Sequence, residues 1–517
     1  MSERATGAVL LTAAEMRAVE AAAIDSASAT GLALMERAGG ATVDAALATW
    51  PDLAARPHRA TVLCGPGANG GDGYVVARRF AERGWAVAVR RLGDPAKATG
   101  DAAAMRAAWL ALGQEAPLSE PAPSADLVVD ALFGTGLARE VPAEACGALA
   151  AARAGGARVL AVDAPLGLCL DTGRGLPAAV QADLTVSFHR PKIGHVVGAG
   201  PAACGALRVV DIGLEPFAAA AADAARTVEG PAFDPRKSGA RHKYDYGHAL
   251  VLAGGVGRGG AARLAARAAL RVGAGLVTVG APGAALIENA ARLDAVMLRR
   301  TNDAADLRAL LEDRRVTALA LGPGLGVDGR TADLVAVAAE ASLRGVGVAL
   351  DADALTALAS AGGFPPFGPR VVLTPHAGEF ARLFPALDAA GDPAAAARAA
   401  AAASGATVLL KGAATVIAAP DGALRVHGAT GPRAAPWLAT AGSGDVLTGL
   451  AAGLLARGAG ALDAAATAAW LHVEAARVAG PGLIAEDLPE ALPRVLRALE
   501  QGGESGAGAL GAVWRVG

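Results

Sequence analysis

The chain has 517 residues, which is more than one ordinary hydrophobic core accommodates, so we expect two or three domains. A formal net charge of −2 and a pI near 6.5 argue against nucleic-acid or membrane-surface partners and favour small-molecule ligands. The apolar runs end at charges before the roughly 20 residues of a membrane span, and the first residues lack the apolar core of a secretory signal. The four cysteines are widely spaced, so we expect a cytoplasmic protein with reduced thiols.

Short β-type runs alternate along the chain with alanine-rich helical stretches, which is typical of a mostly parallel sheet covered by helices. The pattern occurs twice and predicts two α/β domains in tandem, residues 1–228 and 229–517. Leu214–Arg241 has prolines, charges and no β run, so we interpret it as a linker, and Gly391–Ala406 predicts a surface helix. The predicted strands are Ala60–Cys64, Ala86–Leu92, Leu127–Ala131, Arg158–Val162, Leu184–Phe188 and Leu207–Ile212, then His248–Ala253, Leu276–Gly280, Ala318–Leu321, Gly347–Leu350, Val371–Thr374, Val408–Leu410 and Thr415–Ala419.

A glycine-rich loop, CGPGANGGDG, follows the first predicted strand and opens a helix. Its glycines permit close backbone approach, while Asn69 and Asp72 offer oxygens to a cation or a sugar hydroxyl. Open α/β sheets bind nucleotides at such strand ends. A plain glycine-rich turn with an Asx cap is the alternative, and four glycines within seven residues make it the weaker one.

Two further loops follow neighbouring strands in the same half. They are DALFGTG at Asp130–Gly136 and VDAP at Val162–Pro165, and we expect all three strand ends to converge on one crevice. Asp163 is the best acid/base candidate there. A strand-end Asp that only caps the next turn is the other interpretation.

In the second half, the turn Gly442-Ser443-Gly444 runs directly into an apolar helix whose first carboxylate is Asp445. Free N–H groups at a helix start bind anions, so this turn can hold a phosphate while Asp445 takes a proton from an attacking hydroxyl. Helix capping alone would explain Ser and Asp at these positions. The two interpretations stay open on these residues.

Several long motifs in order resemble a known family. LMERAG, GPGANGGDGYVVAR, VVDALFGTG, VLAVDAP and VVDIG resemble the epimerase domain that acts on hydrated NADH and NADPH, with a Rossmann-like α/β/α sandwich. HKYDYG, GPGLG, LDADAL, LTPHAGEFARL, LKGAATVI and GSGD resemble its partner, a nucleotide-driven hydrate dehydratase with a ribokinase-like fold. The chain thus resembles bifunctional NAD(P)H-hydrate repair enzymes over nearly its whole length.

For the second half, the resemblance implies dehydration of the S hydrate at the expense of ADP, giving AMP and phosphate, with magnesium accompanying the nucleotide. It implies Asp445 as the catalytic base. Hydrate contacts would come from Ala261, Gly324, His376 and Asp445. The nucleotide would be held by Lys411, Gly412, Ala413, Ala414 and Thr415 and by Gly442, Ser443 and Gly444. A solvated surface Lys and a structural His are the alternative interpretations of Lys411 and His376.

For the first half, the resemblance implies interconversion of the R and S hydrates, with Asp163 as a catalytic and substrate-contacting residue. The pocket would be lined by Ala68, Asn69, Gly70, Gly71 and Asp72 and by Gly134, Thr135, Gly136, Leu137, Ala138, Arg139 and Glu140. A potassium ion would be bound by Asn69 and Asp130. The chain departs from the family pattern at Ala68, where Asn is usual, and at Leu166, where a Ser ligand is usual. Tyr244 and Ala441 each stand where a Gly is usual.

Two alternative interpretations assign the halves to other functional classes. The second half is compatible with a ribokinase-like small-molecule kinase that releases a phosphorylated product, and the first with a non-catalytic nucleotide-binding module. We expect a homo-oligomer whose partners are NADH hydrate, NADPH hydrate and ADP.

Overall fold

The computed structural model describes residues 7–501 except 98, 178 and 221–224. Among these residues, 9–220 form one compact unit, and 7–8 with 225–501 form another. Both units are α/β, which confirms the predicted fold class. Over the described residues, every helix is too short or too polar to cross a lipid bilayer. All four cysteines are free thiols.

The first unit is built on a seven-stranded, fully parallel sheet in the order β3-β2-β1-β4-β5-β6-β7. Its strands are β1 Arg59–Cys64, β2 Ala86–Arg91, β3 Glu115–Pro117, β4 Leu127–Ala131, β5 Arg158–Val162, β6 Leu184–Phe188 and β7 Ala206–Val210. Its helices are α1 Ala13–Asp25, α2 Gly31–Thr49, α3 Pro51–Ala54, α4 Ala68–Glu82, α5 Gly100–Leu110, α6 Ala143–Ala154, α7 Ile193–Val196 and α8 Gly200–Ala203.

The order of this sheet reverses between β1 and β4, and open α/β sheets carry a crevice at such a point. Strands β4 and β6 are buried at every position, as expected for apolar strands covered on both faces. One hydrophobic cluster contains Val76 and Phe80 of α4, whose spacing predicts a buried face. A second cluster contains Leu63, Leu132, Leu137 and Leu166.

The second unit has a ten-stranded sheet in the order β11-β10-β9-β12-β13-β14-β15-β16-β17-β8. Its strands are β8 Ala225–Thr227, β9 His248–Leu252, β10 Leu276–Ala281, β11 Met297–Arg300, β12 Val316–Leu321, β13 Gly347–Leu350, β14 Val371–Leu373, β15 Thr407–Leu410, β16 Ala414–Ala418 and β17 Leu424–Gly428. Its helices are α9 Gly260–Arg271, α10 Leu286–Ala290, α11 Ala304–Leu310, α12 Gly329–Leu343, α13 Ala352–Ser360, α14 Ala377–Leu383, α15 Pro393–Ser404, α16 Ser443–Ala456, α17 Ala461–Ala479 and α18 Asp487–Gln501.

The strands from β11 to β15 in this order are parallel, β16 is antiparallel to both of its neighbours, and the order reverses between β9 and β12. Helix α16 is buried from Val446 to Ala456 and packs very closely on α9. A Cβ added to Gly449 would lie 2.1 Å from the Ala265 carbonyl oxygen. Only small residues allow two helix backbones to approach this closely.

The predicted linker is wrong in one respect, because Leu214–Arg241 contains the strand β8. Thr227 N–H donates to the Ala8 carbonyl at 2.9 Å, and Val228 N–H donates to the Val426 carbonyl at 2.8 Å. Strands β3, β8, β11 and β17 were not predicted; β3, β8 and β11 are short or exposed and lie at or near a sheet edge, where no alternating apolar pattern is required. The helix predicted at Gly391–Ala406 exists as α15, and one of its faces is buried.

The position of edge strand β8 indicates where a stable fragment of the second unit should begin. We expect a fragment of residues 230–517 to melt about 5 °C or more below a fragment of residues 225–517, because it loses β8 and the buried Val228. Thermal unfolding followed by circular dichroism measures the difference. Equal melting temperatures would show that β8 adds nothing to this sheet.

We expect the hydroxyl that the resemblance implies at position 166 to lower the free energy of unfolding. The Leu166 side chain is 0% exposed, so Leu166→Ser leaves a cavity and buries a hydroxyl, and we expect a loss of about 3 kcal/mol or more. Scanning calorimetry of the full chain should show a lower temperature for the unfolding transition of the first unit. Leu112→Ser is the matched control, since Leu112 is 62% exposed and should cost less than about 0.5 kcal/mol. Equal changes in the unfolding temperature for both variants would contradict the buried position of the Leu166 side chain.

Candidate functional sites

The three predicted loops of the first unit meet at the carboxyl ends of β1, β4 and β5, which are neighbours in the sheet. A Cβ added to Gly134 would lie 3.0 Å from Asn69 Oδ1 and 3.0 Å from Asp163 Oδ2. Asn69, Gly134 and Asp163 are thus brought together. Helix α1 also reaches this place, since a Cβ on Gly136 would lie 3.2 Å from an Arg17 guanidinium nitrogen.

The other pocket residues differ in exposure. Gly70 and Gly71 are buried in the first turn of α4, where added Cβ atoms would meet the Gly65 carbonyl at 1.9 Å and Met35 Sδ at 2.4 Å. These two glycines therefore serve packing. Leu137 is buried in the apolar cluster, whereas the residues Ala68, Ala138, Arg139 and Glu140 are exposed.

Asp163 lies immediately after β5 with φ +62°, a left-handed conformation that non-glycine residues rarely adopt. Its Oδ1 accepts hydrogen bonds from Lys192 Nζ at 3.0 Å and Ser187 Oγ at 2.9 Å. Its Oδ2 accepts from Thr135 N–H at 2.8 Å and from the Thr135 hydroxyl. Burial raises the pKa of Asp163, but Lys192, His195 and these hydrogen bonds outweigh it and hold the pKa well below its usual range. The carboxylate is therefore ionised and a weak base.

Two nearby carboxyl groups have the opposite tendency. Burial, followed by the Asp163 and Glu20 carboxylates, raises the pKa of Asp72 well above its usual value. Burial also raises the pKa of Glu20, against the effect of Lys192. The crevice thus combines an ionised carboxylate with carboxyl groups that hold a proton more readily, and such divergence is typical of acid/base sites.

Asp130 is 1% exposed, and its carboxylate accepts N–H groups from Leu132 at 3.3 Å and Leu166 at 2.7 Å. Burial raises the pKa of Asp130 to about 7, against these two hydrogen bonds. A cation beside it would favour ionisation. Asn69 Nδ2, a donor that does not bind cations, has no hydrogen-bond partner among the described residues. Asn69 and Asp130 each carry side-chain oxygens of the kind that potassium binds, whereas Leu166 offers only backbone atoms because its side chain lies in the apolar cluster.

In the second unit, Asp445 lies in the first turn of α16, and the helix begins after Gly442, whose φ of +89° favours glycine. No side chain caps this helix, and Ser443 Oγ donates to the Leu438 carbonyl at 2.8 Å instead. Capping therefore does not explain Ser443 and Asp445. Burial, and then Asp351, raises the pKa of Asp445 to about 6, against the effect of Lys411.

Lys411 follows β15 and lies next to the start of α16. Its Nζ donates to Asp351 Oδ1 at 2.8 Å, and a Cβ on Gly444 would be 3.5 Å from Nζ. Asp351 is 2% exposed, and its other oxygen accepts from Thr448 Oγ1 at 2.8 Å. Lys411 is therefore a fixed positive charge beside the helix N-terminus. The turn Gly412–Ala413 after it is exposed, and Thr415 Oγ1 donates to the Gly412 carbonyl at 3.3 Å.

His376 is the N-cap of α14, where Nδ1 accepts from Gly378 N–H at 3.0 Å. Its backbone pairs with Lys411, so it lies beside the same site, with 56% of the side chain exposed. Gly324 and Ala261 are also adjacent, since a Cβ on Gly324 would be 3.7 Å from Ala261 Cβ. Gly324, His376 and Lys411 thus follow the carboxyl ends of β12, β14 and β15, whereas the turn before Asp445 comes after β17.

The sequence interpretation missed several partners. Lys192, Ser187 and His195 hold Asp163. Asp351 pairs with Lys411 and is itself held by Thr448. His472 Nε2 lies 2.9 Å from the Ser443 carbonyl. Asp351 was within reach of sequence reasoning, because LDADAL follows a predicted strand. The others carry no local signal. A cavity of about 470 Å³ in the first unit, beside α6 and residues 118–125, contains none of the predicted site residues.

Comparison with known proteins matches two family models to separate parts of this chain. A family model described as YjeF-related protein N-terminus matches residues 31–194, and one described as NAD(P)H-hydrate dehydratase matches residues 249–494. A structure of ADP/ATP-dependent NAD(P)H-hydrate dehydratase from Bacillus subtilis, co-crystallised with ATP/Mg²⁺, is 31% identical with a TM-score of 0.44, covering 51% of this chain and 93% of that one.

Curated relatives match along nearly the whole length. The bifunctional NAD(P)H-hydrate repair enzyme Nnr of Moorella thermoacetica is 38% identical, over 95% of this chain and 97% of the relative. The enzyme of the same name from Coxiella burnetii is 37% identical, over 93% of this chain and 98% of the relative. Both predicted halves are therefore present in the expected order, and the chain belongs to the family of bifunctional NAD(P)H-hydrate repair enzymes.

Proposed function

We propose that this chain repairs hydrated NADH and NADPH, with one step in each unit. The observation that carries the proposal is the start of α16. A carboxylate whose pKa is about 6 stands there beside free helix N–H groups and the Lys411 ammonium. Asp445 can take a proton near neutral pH, and the start of α16 can bind phosphate. The two functions thus lie next to each other. Membership in the repair-enzyme family supplies the substrate class.

In the second unit, the hydrate binds with its C6 hydroxyl at Asp445, near Ala261, Gly324 and His376. The ADP phosphates lie against Gly442, Ser443 and Gly444, with Lys411 and the turn to Thr415 on the other side. Asp445 takes the hydroxyl proton as the oxygen attacks the β-phosphorus, and the bond to AMP breaks. Magnesium would neutralise the phosphate oxygens when bound. Phosphate then leaves C6 as a proton leaves C5, which restores the dihydronicotinamide.

In the first unit, the crevice exchanges the R and S forms. Loss of the C6 hydroxyl, assisted by the ring nitrogen, gives a planar carbon that water attacks from either face. We infer that Asp72, whose pKa is raised mainly by burial, supplies the proton that the leaving hydroxyl needs, while Asp163 and the Gly134–Gly136 loop position the substrate. Potassium at Asn69 and Asp130 would supply positive charge toward the substrate phosphates. The use of ADP, a homo-oligomeric state and a cytoplasmic location stay predictions.

The direct test is incubation of the full chain with mixed hydrate epimers. We expect ADP to restore the dihydronicotinamide absorbance from both epimers, because the first unit converts R to S. Repeating the assay in potassium and in sodium buffer tests the cation. A phosphorylated product without restored absorbance would indicate a kinase instead, and conversion that stops at the S form would indicate a non-catalytic first unit.

Asp445→Asn should keep hydrate and ADP binding but lower dehydration of the S form by about 10²–10⁴-fold, the usual contribution of a positioned base. In the unchanged chain, kcat/KM should fall as the pH drops below about 6, since a protonated Asp445 cannot accept the hydroxyl proton. The variant should lose this pH dependence.

Asp306→Asn is the matched control, because Asp306 also lies in the first turn of a helix in the same unit. It should leave dehydration and its pH profile unchanged. An Asp445→Asn variant with normal turnover would overturn the proposed role.

A further inference from the structure

The buried ammonium of Lys192 is a charge that the proposed reaction does not itself require. Lys192 is 0% exposed, and its three N–H donors reach Asp163 Oδ1 at 3.0 Å, Ser187 Oγ at 2.9 Å and the Phe188 carbonyl at 3.2 Å. Burying an ion pair carries a desolvation penalty that its own attraction often fails to offset. A buried pair at a site edge therefore calls for an explanation other than stability.

His195 fixes the backbone on both sides of this pair. Its Nδ1 accepts the Lys192 N–H at 3.0 Å, which leaves Nε2 to donate to the Asp163 carbonyl at 2.8 Å. Burial, and then Lys192, lowers the pKa of His195 to about 4, so the ring is neutral at physiological pH. The imidazole thus ties the peptide of Lys192 to that of Asp163, whose left-handed conformation needs such support.

The other oxygen of the Asp163 carboxylate, Oδ2, holds the Gly134–Gly136 loop. Oδ2 accepts from both the N–H and the hydroxyl of Thr135, the middle residue of Gly134–Gly136. Together with Lys192 and Ser187, four donors occupy the two oxygens. Both oxygens of Asp163 are therefore bound by groups of the protein, and its negative charge attracts the Thr135 donors of the loop.

We propose that Lys192 is a positioning residue of the first unit, which acts through Asp163 to hold Thr135 and the Gly134–Gly136 loop in the crevice. This inference rests on the proposed epimerase function. Without the ammonium, the carboxylate loses the partner that orients it, and the loop loses its fixed position. Substrate binding then weakens, while the chemistry of the second unit is untouched.

The test compares Lys192→Met, Thr135→Val and the double variant in the full chain. We expect Lys192→Met to raise the KM for conversion of the R hydrate about 10- to 100-fold, with a smaller change in kcat, as for a loss of alignment. Dehydration of the S hydrate, the internal control, should not change. Because both residues act through one carboxylate, the double variant should be little worse than Lys192→Met alone.

Hydrogen exchange gives a readout that needs no substrate. Amides of residues 133–137 should exchange faster in Lys192→Met than in the unchanged chain. Arg91→Met is the matched control, since it removes the Arg91–Glu115 ion pair of 3.0 Å at the other edge of the same sheet. It should leave this exchange and the KM unaltered.

An unchanged KM in folded Lys192→Met, or additive effects of the two substitutions, would overturn the inference. If Lys192→Met does not fold, Ser187→Ala replaces it in the test. That variant removes the other donor from Asp163 Oδ1, the oxygen that Lys192 contacts. A normal KM in Ser187→Ala would also contradict the inference. An unchanged chain that fails to convert the R hydrate would instead refute the proposed function.

Discussion

An ion pair between a lysine and a buried aspartate stands at the carboxyl edge of each sheet. Lys192 pairs with Asp163 at 3.0 Å in the first unit, and Lys411 pairs with Asp351 at 2.8 Å in the second. In both, the aspartate directly follows a parallel strand. Parallel strands converge at this edge, so one charge pair there fixes the loops that follow several strands. The rest of each site is arranged around that pair.

The two units use their pairs differently. In the first, the paired aspartate is saturated with donors and holds a loop. In the second, the paired aspartate is a neighbour of Asp445, and its negative charge adds to burial in raising the pKa of that carboxyl. Lys411 acts in the opposite sense on that carboxyl and lies close to the start of α16. In the proposed reaction, the same ion pair therefore affects both the basicity of Asp445 and the binding of phosphate.

Prediction from the sequence succeeded where chemistry is local. The central strands are continuous apolar runs, and the glycine loops lie directly after them, so Asn69, Asp163 and Asp445 could be placed at strand or helix ends. It failed where the contact partner is distant in sequence. Nothing around Lys192 indicates that it meets Asp163, 29 residues earlier, and β8 pairs with β17 although its three residues have no pattern of their own. Such contacts are set by topology.

The close packing of α16 on α9 has a consequence for motion. Gly449 and Gly453 bring the backbones together, and Cβ atoms there would meet Ala265 and Ala269 at 2.1 and 2.8 Å. Interfaces packed this closely leave no space for one helix to be displaced gradually against the other. The turn at Gly442 is therefore rigid relative to Ala261 at the start of α9. In the proposed site, the segments around this turn and helix would make any adjustment to nucleotide and hydrate. Larger side chains at Gly449 or Gly453 would misalign the phosphoryl donor and the hydroxyl that accepts it from a distance.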